Sequence, residues 1–335
     1  MKTTLLAIVI LLAACGGSQG GAPSSASPRA PGPLGDTWTR DGTTWHRQDV
    51  AGPAPRYLAA LAYDTSRHDF VLFGGQTAKG TSGETWTFDG TTWTAMTPAH
   101  HPPPRRNAAM AYDPSRQVVV LYGGLVPDQG EGREAADTWT WNGADWAQAG
   151  SAIGAPGVRQ SAGMVTAADH VVLFGGRIGN IEYFGDAWTW NGATWARIDR
   201  DPRPQGRGGA AIAWDRDDSS LFVYGGLGIR QGAGPGNQGL PLGDAWSMKN
   251  GAWTQLPTPG RPTAAYESAI WDWNMHRAIV MFGIECPDPV IAGWSWDGSG
   301  WSPTQVGVTA RWGAAVAQDD KGGALVFGGS DESGC

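Results

Sequence analysis

Five arginines, Arg56, Arg105, Arg159, Arg207 and Arg311, each stand 16 to 18 residues before a glycine pair. A guanidinium presents a planar fork of donors that matches a carboxylate, so five on one face would grip an acidic partner. Acids recur too: Asp36, Glu84, Asp137, Asp186 and Asp244 each lie two residues before a tryptophan. The one repeat without that acid has Ala292 there, and it also lacks the arginine, with Ala265 at the matching offset. Two readings stay open. The arginines form a ligand-binding ring, or each is half of an Arg–carboxylate strut whose partners are lost together. The joint loss favours struts.

Other chemistry-bearing residues are sparse. Tyr266, Glu267, Glu285 and Cys286 occupy the repeat that lacks the Arg–acid pair, and Tyr266 and Glu285 are candidate ligand contacts there. His100-His101 has no cysteine or carboxylate at ligand spacing, so no metal is expected. No nucleophile elbow, P-loop, zinc helix or dinucleotide fingerprint occurs, and no cofactor is expected. Sixteen per cent charged residues, a net charge of −7 and no Lys/Arg cluster argue against nucleic acid as a partner.

The elements that position these residues are repeats. Trp38 to Trp45 recurs as Trp86 to Trp93, Trp139 to Trp146, Trp188 to Trp195, Trp246 to Trp253 and Trp294 to Trp301. Between the two tryptophans sits Asp-Gly or Asn-Gly, the dipeptide of a type I′ hairpin with two positive φ values. Before each hairpin comes an apolar run ending in two glycines: FVLFGG (70–75), VVLYGG (119–124), VVLFGG (171–176), FVYGG (222–226) and LVFGG (325–329). A sixth, VMFGI (280–284), is degenerate, with Ile284 in place of the second glycine. Turns such as Tyr63-Asp64-Thr65-Ser66-Arg67 mark another hairpin upstream, which makes four strands per repeat. From first tryptophan to first tryptophan the period is 48, 53, 49, 58 and 48 residues.

The glycine pair, the acid two before the first tryptophan and the closing second tryptophan resemble the kelch-repeat β-propeller family, over residues 34–335. WD40 repeats fit less well, because Trp-Asp falls at irregular places. The resemblance implies an all-β, six-bladed β-propeller of kelch type with four antiparallel strands per blade. The chain starts with an outer hairpin and ends with two inner strands, so one blade is closed by N- and C-terminal strands together. It further implies a loop face, shared by the segments after the glycine pairs and the inter-blade connections, where a protein or glycan is recognised. Carbohydrate-active propellers, sialic acid epimerase-like or lyase, are the enzymatic alternative. Cys286 and Cys335 fall in equivalent loops of neighbouring blades, where a disulfide is expected.

The N-terminus carries an address. Lys2 precedes an apolar stretch, Leu5 to Leu12, too short to span a bilayer. Leu12-Ala13-Ala14-Cys15 resembles the bacterial lipobox, which implies a signal peptide over 1–14 and lipidation of Cys15. Residues 15–33 read as a Gly/Ser/Pro tether, and 34–335 as the propeller. The expected location is the cell envelope, through a lipid anchor in the membrane, the outer membrane if the cell is Gram-negative. Cys15→Ser should move the protein from the membrane fraction to the soluble fraction on cell fractionation; a variant that still pellets with membranes overturns lipid anchoring.

Overall fold

The computed structural model describes residues 32–130, 132–150, 155–229, 239–258, 265–283, 293–304 and 306–331. Cys15, Glu285, Cys286 and Cys335 lie outside these residues, as do the signal segment and most of the tether. Among the described residues the chain is all-β, a propeller-like arrangement of antiparallel four-stranded sheets.

The repeat sets the strands. In the first complete repeat Ala60–Asp64, Asp69–Phe73, Thr85–Phe88 and Trp93–Met96 pair in that order. The next three sheets begin at inner strands Ala109–Asp113, Gly163–Ala167 and Ala211–Asp215, and a fifth begins at Ser268–Asp272. A further sheet joins both ends of the chain: Ala315–Gln318 and Ala324–Phe327 supply the inner half, Thr37–Asp41 and Thr44–Gln48 the outer half. Thr37 opposes Phe327 and Arg40 opposes Ala324 across that junction. Successive inner strands lie against one another, and Ala315–Gln318 touches both Ser268–Asp272 and Ala60–Asp64.

Burial follows sheet packing. The second strand of each repeat is apolar after its first residue, because both of its faces meet neighbouring sheets. Val71, Leu72, Val119, Val120, Leu121, Val171, Leu173, Leu221 and Val223 are fully buried. Between sheets, the closing tryptophan of one repeat meets the aromatic residue that ends the second strand of the previous one. Trp146 lies 5.3 Å from Phe73, Trp195 5.2 Å from Tyr122, Trp253 5.1 Å from Phe174 and Trp301 4.6 Å from Tyr224, ring centre to ring centre. Trp93 meets Phe327 in the same way at 5.1 Å. Three of these indoles also donate to a threonine of the previous sheet: Trp93 to Thr37, Trp146 to Thr85 and Trp195 to Thr138, each at 2.9 Å. An edge-on aromatic contact with a satisfied indole N–H stabilises beyond the area it buries.

Two local expectations change. Among the six Asp/Asn-Gly hairpins, only Asn250-Gly251 has two consecutive positive φ values, at 51° and 77°, and it joins Lys249 directly to Ala252. In four repeats the hairpin loop has four residues, as between Phe88 and Trp93. There the Asp or Asn side chain accepts the turn's own N–H groups, as Asp89 Oδ1 does from Thr91 at 2.8 Å and Thr92 at 2.7 Å, and only the glycine needs positive φ. The degenerate motif is also shifted by one residue. Met281 opposes Ser268 as Phe73 opposes Ala60, so Phe282 (φ 64°) and Gly283 (φ 121°) hold the two left-handed positions. The first glycine is therefore the one replaced, by Phe282.

The glycine pair has a steric cause. Gly123 sits at φ +66°, and a Cβ there would lie 2.6 Å from the carbonyl oxygen of Arg159 in the next sheet. Gly123→Ala should destabilise the fold by roughly 2–3 kcal/mol, through strain and that close approach. Gly300, with open space around it, is the control whose alanine variant should be near neutral in chemical denaturation. Equal stability of the two variants would overturn this account.

Candidate functional site

The five repeated arginines all form the pairs that their spacing suggests. Arg105 Nη1 donates to Asp137 Oδ1 at 2.6 Å and Nη2 to Oδ2 at 2.8 Å, while Nη1 also reaches the Gly123 carbonyl at 2.9 Å. Arg207 grips Asp244 by the same fork, at 2.8 Å on both arms, and the Gly225 carbonyl at 2.9 Å. Arg311 holds Asp36 at 2.6 and 2.9 Å, Arg159 holds Asp186 at 2.8 and 3.2 Å, and Arg56 holds Glu84 at 2.5 Å. The arginine side chains are 0–1% exposed. Each acid also accepts the N–H of the tryptophan two residues on, as Asp137 does from Trp139 at 2.7 Å.

The backbone of the same arginines joins sheets. The Arg105 carbonyl accepts from Gly75 at 2.9 Å and its N–H donates to the Ser82 carbonyl at 3.1 Å, both in the preceding repeat. The carbonyls of Arg56, Arg159 and Arg207 accept in the same way from Gly329, Gly124 and Gly176. Burial alone would raise the carboxyls of Asp36, Asp137 and Asp244, but the arginine hydrogen bonds and charge outweigh it and hold them below the ordinary aspartate value.

Two residues beyond each arginine the chain turns left-handed. Leu58, Asn107, Ser161, Gly209 and Gly313, together with Tyr266 in the repeat without arginine, have φ between 55° and 64°. Their backbones are linked in sequence: Leu58 N–H to Gly313, Asn107 to Leu58, Ser161 to Asn107, Gly209 to Ser161 and Tyr266 to Gly209, at 2.7–3.0 Å. Counted back from Tyr266, the residue that matches the repeated arginine is Ala264 rather than Ala265. The linked residues line a shallow cavity of about 160 Å³, and none of the five arginines does.

What surrounds this cavity is asymmetric. On one side Tyr57 meets Trp312 edge-on at 5.0 Å, and Trp312 meets Tyr266 at 6.0 Å, an arc of three half-buried rings. On the other side planar polar groups hold one another. Asn107 donates to Gln160 at 3.0 Å, Gln160 to Glu134 at 3.0 Å, and the Gly179 N–H to the same Glu134 oxygen at 2.8 Å. Arg177 closes the arc by donating to Tyr266 Oη at 2.9 Å and to Asn180 at 2.5 Å. Arg106 donates to Gln76 at 3.0 Å nearby. Burial would raise the Glu134 carboxyl, yet the N–H groups, Gln160 and Arg177 together lower it, so it stays an acceptor. Burial raises the Tyr183 phenol.

Among the described residues that the sequence singled out, Tyr266 lies in this arc and buried Glu267 lines the cavity. Tyr57, Arg106, Asn107, Glu134, Gln160, Arg177 and Trp312 were missed. The signal for several of them was present: they occupy the two positions after each repeated arginine, where the repeats differ most. His100 pairs with Asp145 at 2.8 Å in the open, and no metal-binding group of His, Cys, Asp or Glu occurs among the described residues. No family model matches the chain, and no curated protein matches it.

Arg105→Ala should lower stability by about 3–5 kcal/mol, because Asp137 is left without its partner, and Asp137→Ala in the same chain should restore part of the loss. Non-coupled losses in this double-mutant cycle would overturn the strut. The stability these depressed carboxyls add is present above the unfolded value of about 4 and lost as pH falls through the folded values. The thermal midpoint should therefore fall between about pH 5 and pH 2, and less steeply in Asp137→Asn.

Proposed function

We propose that residues 34–335 form a closed six-bladed propeller of kelch type that acts as a binding module at the cell envelope, recognising a glycan or protein on its loop face. Support for closure comes from the sheet shared by both chain ends, the contacts of successive inner strands and the Trp93–Phe327 contact across the seam. Support for the envelope comes from the lipobox-like segment ending at Cys15.

The observation that carries the ligand reading is the arc around the narrow axial cavity. Aromatic faces opposite Asn107, Gln160, Glu134 and Arg177 suit a sugar, which has flat C–H faces and a rim of hydroxyls that need fixed donors and acceptors. A glycan is thus favoured over a protein. Glu134, lowered by its neighbours, is suited to accept a hydrogen bond from a ligand hydroxyl rather than to act as a general acid. The paired arginines then serve as supports beneath the loop face.

Titration of the purified protein with cell-envelope oligosaccharides should show saturable binding without product. Trp312→Ala and Tyr266→Ala should each weaken it about tenfold or more, with little change in thermal midpoint. Product formation would replace this reading with the epimerase-like or lyase alternative. Unchanged affinity in both variants would overturn the arc as the site.

A further inference from the structure

The axis carries a second, larger cavity of about 570 Å³ at the end opposite the loop face. It is built from the inner strands beyond the left-handed residues. Leu61, Met110, Met164, Ile212 and Val316 make an apolar floor. Tyr63, Trp214 and Trp273 stand above them as aromatic walls. This chemistry has no part in the loop-face reading.

Of the charged side chains in the lining, two are acids, Asp319 and Asp320, and one is an arginine, Arg216. Asp319 and Asp320 lie on the turn between the two inner strands of the sheet that joins the chain ends. Asp319 Oδ1 is held by the N–H groups of Lys321 and Gly323, at 2.8 and 2.7 Å, which fixes the turn. Asp320 is exposed and lies near enough to Tyr63 for its charge to act on the phenol. Trp273 flanks the turn on its other side, where a Cβ on Gly322 would lie 3.3 Å from the indole ring. Burial, then Asp320 and Asp319, push the Tyr63 phenol up to about 12, which reports a negative surrounding field. Asp69, half-buried and itself pushed up to about 6 by burial and Asp64, adds to that field when ionised.

The cation among the described lining residues, Arg216, is exposed and lies 4.2 Å above the Trp273 ring. It shows that this wall accepts a cation on its face, as electron-rich rings do. Asp64 is paired with the Arg67 guanidinium, whereas Asp320 has no cationic partner among the described pairs. The Trp273 indole N–H also has no partner among the described residues.

We propose that this cavity binds a protonated amine carried on an apolar body, with the ammonium against Asp320 between Tyr63 and Trp273 and the apolar body on the floor. An anion would face Asp319 and Asp320 across a low-dielectric wall, and a wholly apolar ligand would bury the carboxylate without a partner. The amine satisfies both the charge and the rings. A free amine and a lysine side chain of a partner share this chemistry.

The test uses the full chain, with tryptophan fluorescence and calorimetry as readouts. Phenethylamine should bind saturably and perturb the fluorescence, while 2-phenylethanol and 3-phenylpropionate bind about tenfold more weakly or not at all. Asp320→Asn, an exposed substitution, should weaken the amine about tenfold while leaving oligosaccharide binding at the loop face unchanged. A lysine-containing peptide that binds where phenethylamine does not identifies a partner's side chain as the source and supports the same chemistry. Equal affinity for the amine and the acid, no saturation by either amine probe, or an unaltered Asp320→Asn variant overturns the proposal. Loss of oligosaccharide binding with intact amine binding would fail the loop-face reading alone.

Discussion

The arginine that precedes five of the six four-stranded sheets is the constraint on which the other features depend. Its side chain closes its own sheet by holding the glycine carbonyl and the acid before the third strand, and its backbone binds the preceding sheet. A guanidinium removed from water is costly, and the cost is met here by a forked carboxylate and a carbonyl acceptor. The left-handed glycines follow from the same contact, since a Cβ there would enter the next arginine's carbonyl. So does the first tryptophan's acid partner, which needs both an indole and a guanidinium to keep it ionised in a half-buried site.

Around that joint the repeats add aromatic contact. Each closing tryptophan fills the space between two sheets, and three anchor to a threonine across it. Where Ala187 stands in place of that threonine, Trp253 keeps its ring contact with Phe174, while its indole N–H has no partner among the described residues. Packing tolerates the loss because dispersion and burial do not depend on one donor. At the junction of the chain ends, Arg40 donates to Asp272 at 2.7 Å with both side chains buried, an ion pair that ties the outer hairpin's sheet to its neighbour.

Symmetry and function separate along the strand. The repeated arginine, acid and tryptophans hold sheets, whereas the positions just after the arginine vary as Tyr57-Leu58, Arg106-Asn107, Gln160-Ser161, Gly208-Gly209 and Trp312-Gly313. Their backbone is uniform and their side chains are free to differ, so the two ends of the axis acquire different chemistry on one frame. The loop-face arc is mixed polar and aromatic, while the opposite cavity joins apolar and aromatic side chains to Asp319, Asp320 and Arg216.

The sequence by itself determined what recurs. Paired tryptophans, glycine pairs and turn residues report local backbone geometry, so the all-β class, the four-strand repeat and the hairpin limits were legible, and joint loss at one repeat pointed to the Arg–acid pairs. Tertiary structure decided what depends on register and on neighbours distant in the chain. The one-residue shift at Phe282-Gly283 is set by strand pairing of Met281 with Ser268, which an apolar run with a single glycine does not specify. The four-residue hairpin loops arise because an Asp or Asn side chain caps the turn, an alternative to the two-residue form that the dipeptide alone does not exclude. The two cavities are assembled from single residues of several repeats, so Tyr63 and Asp320, or Arg177 and Tyr266, come near one another only when sheets far apart in sequence are packed together.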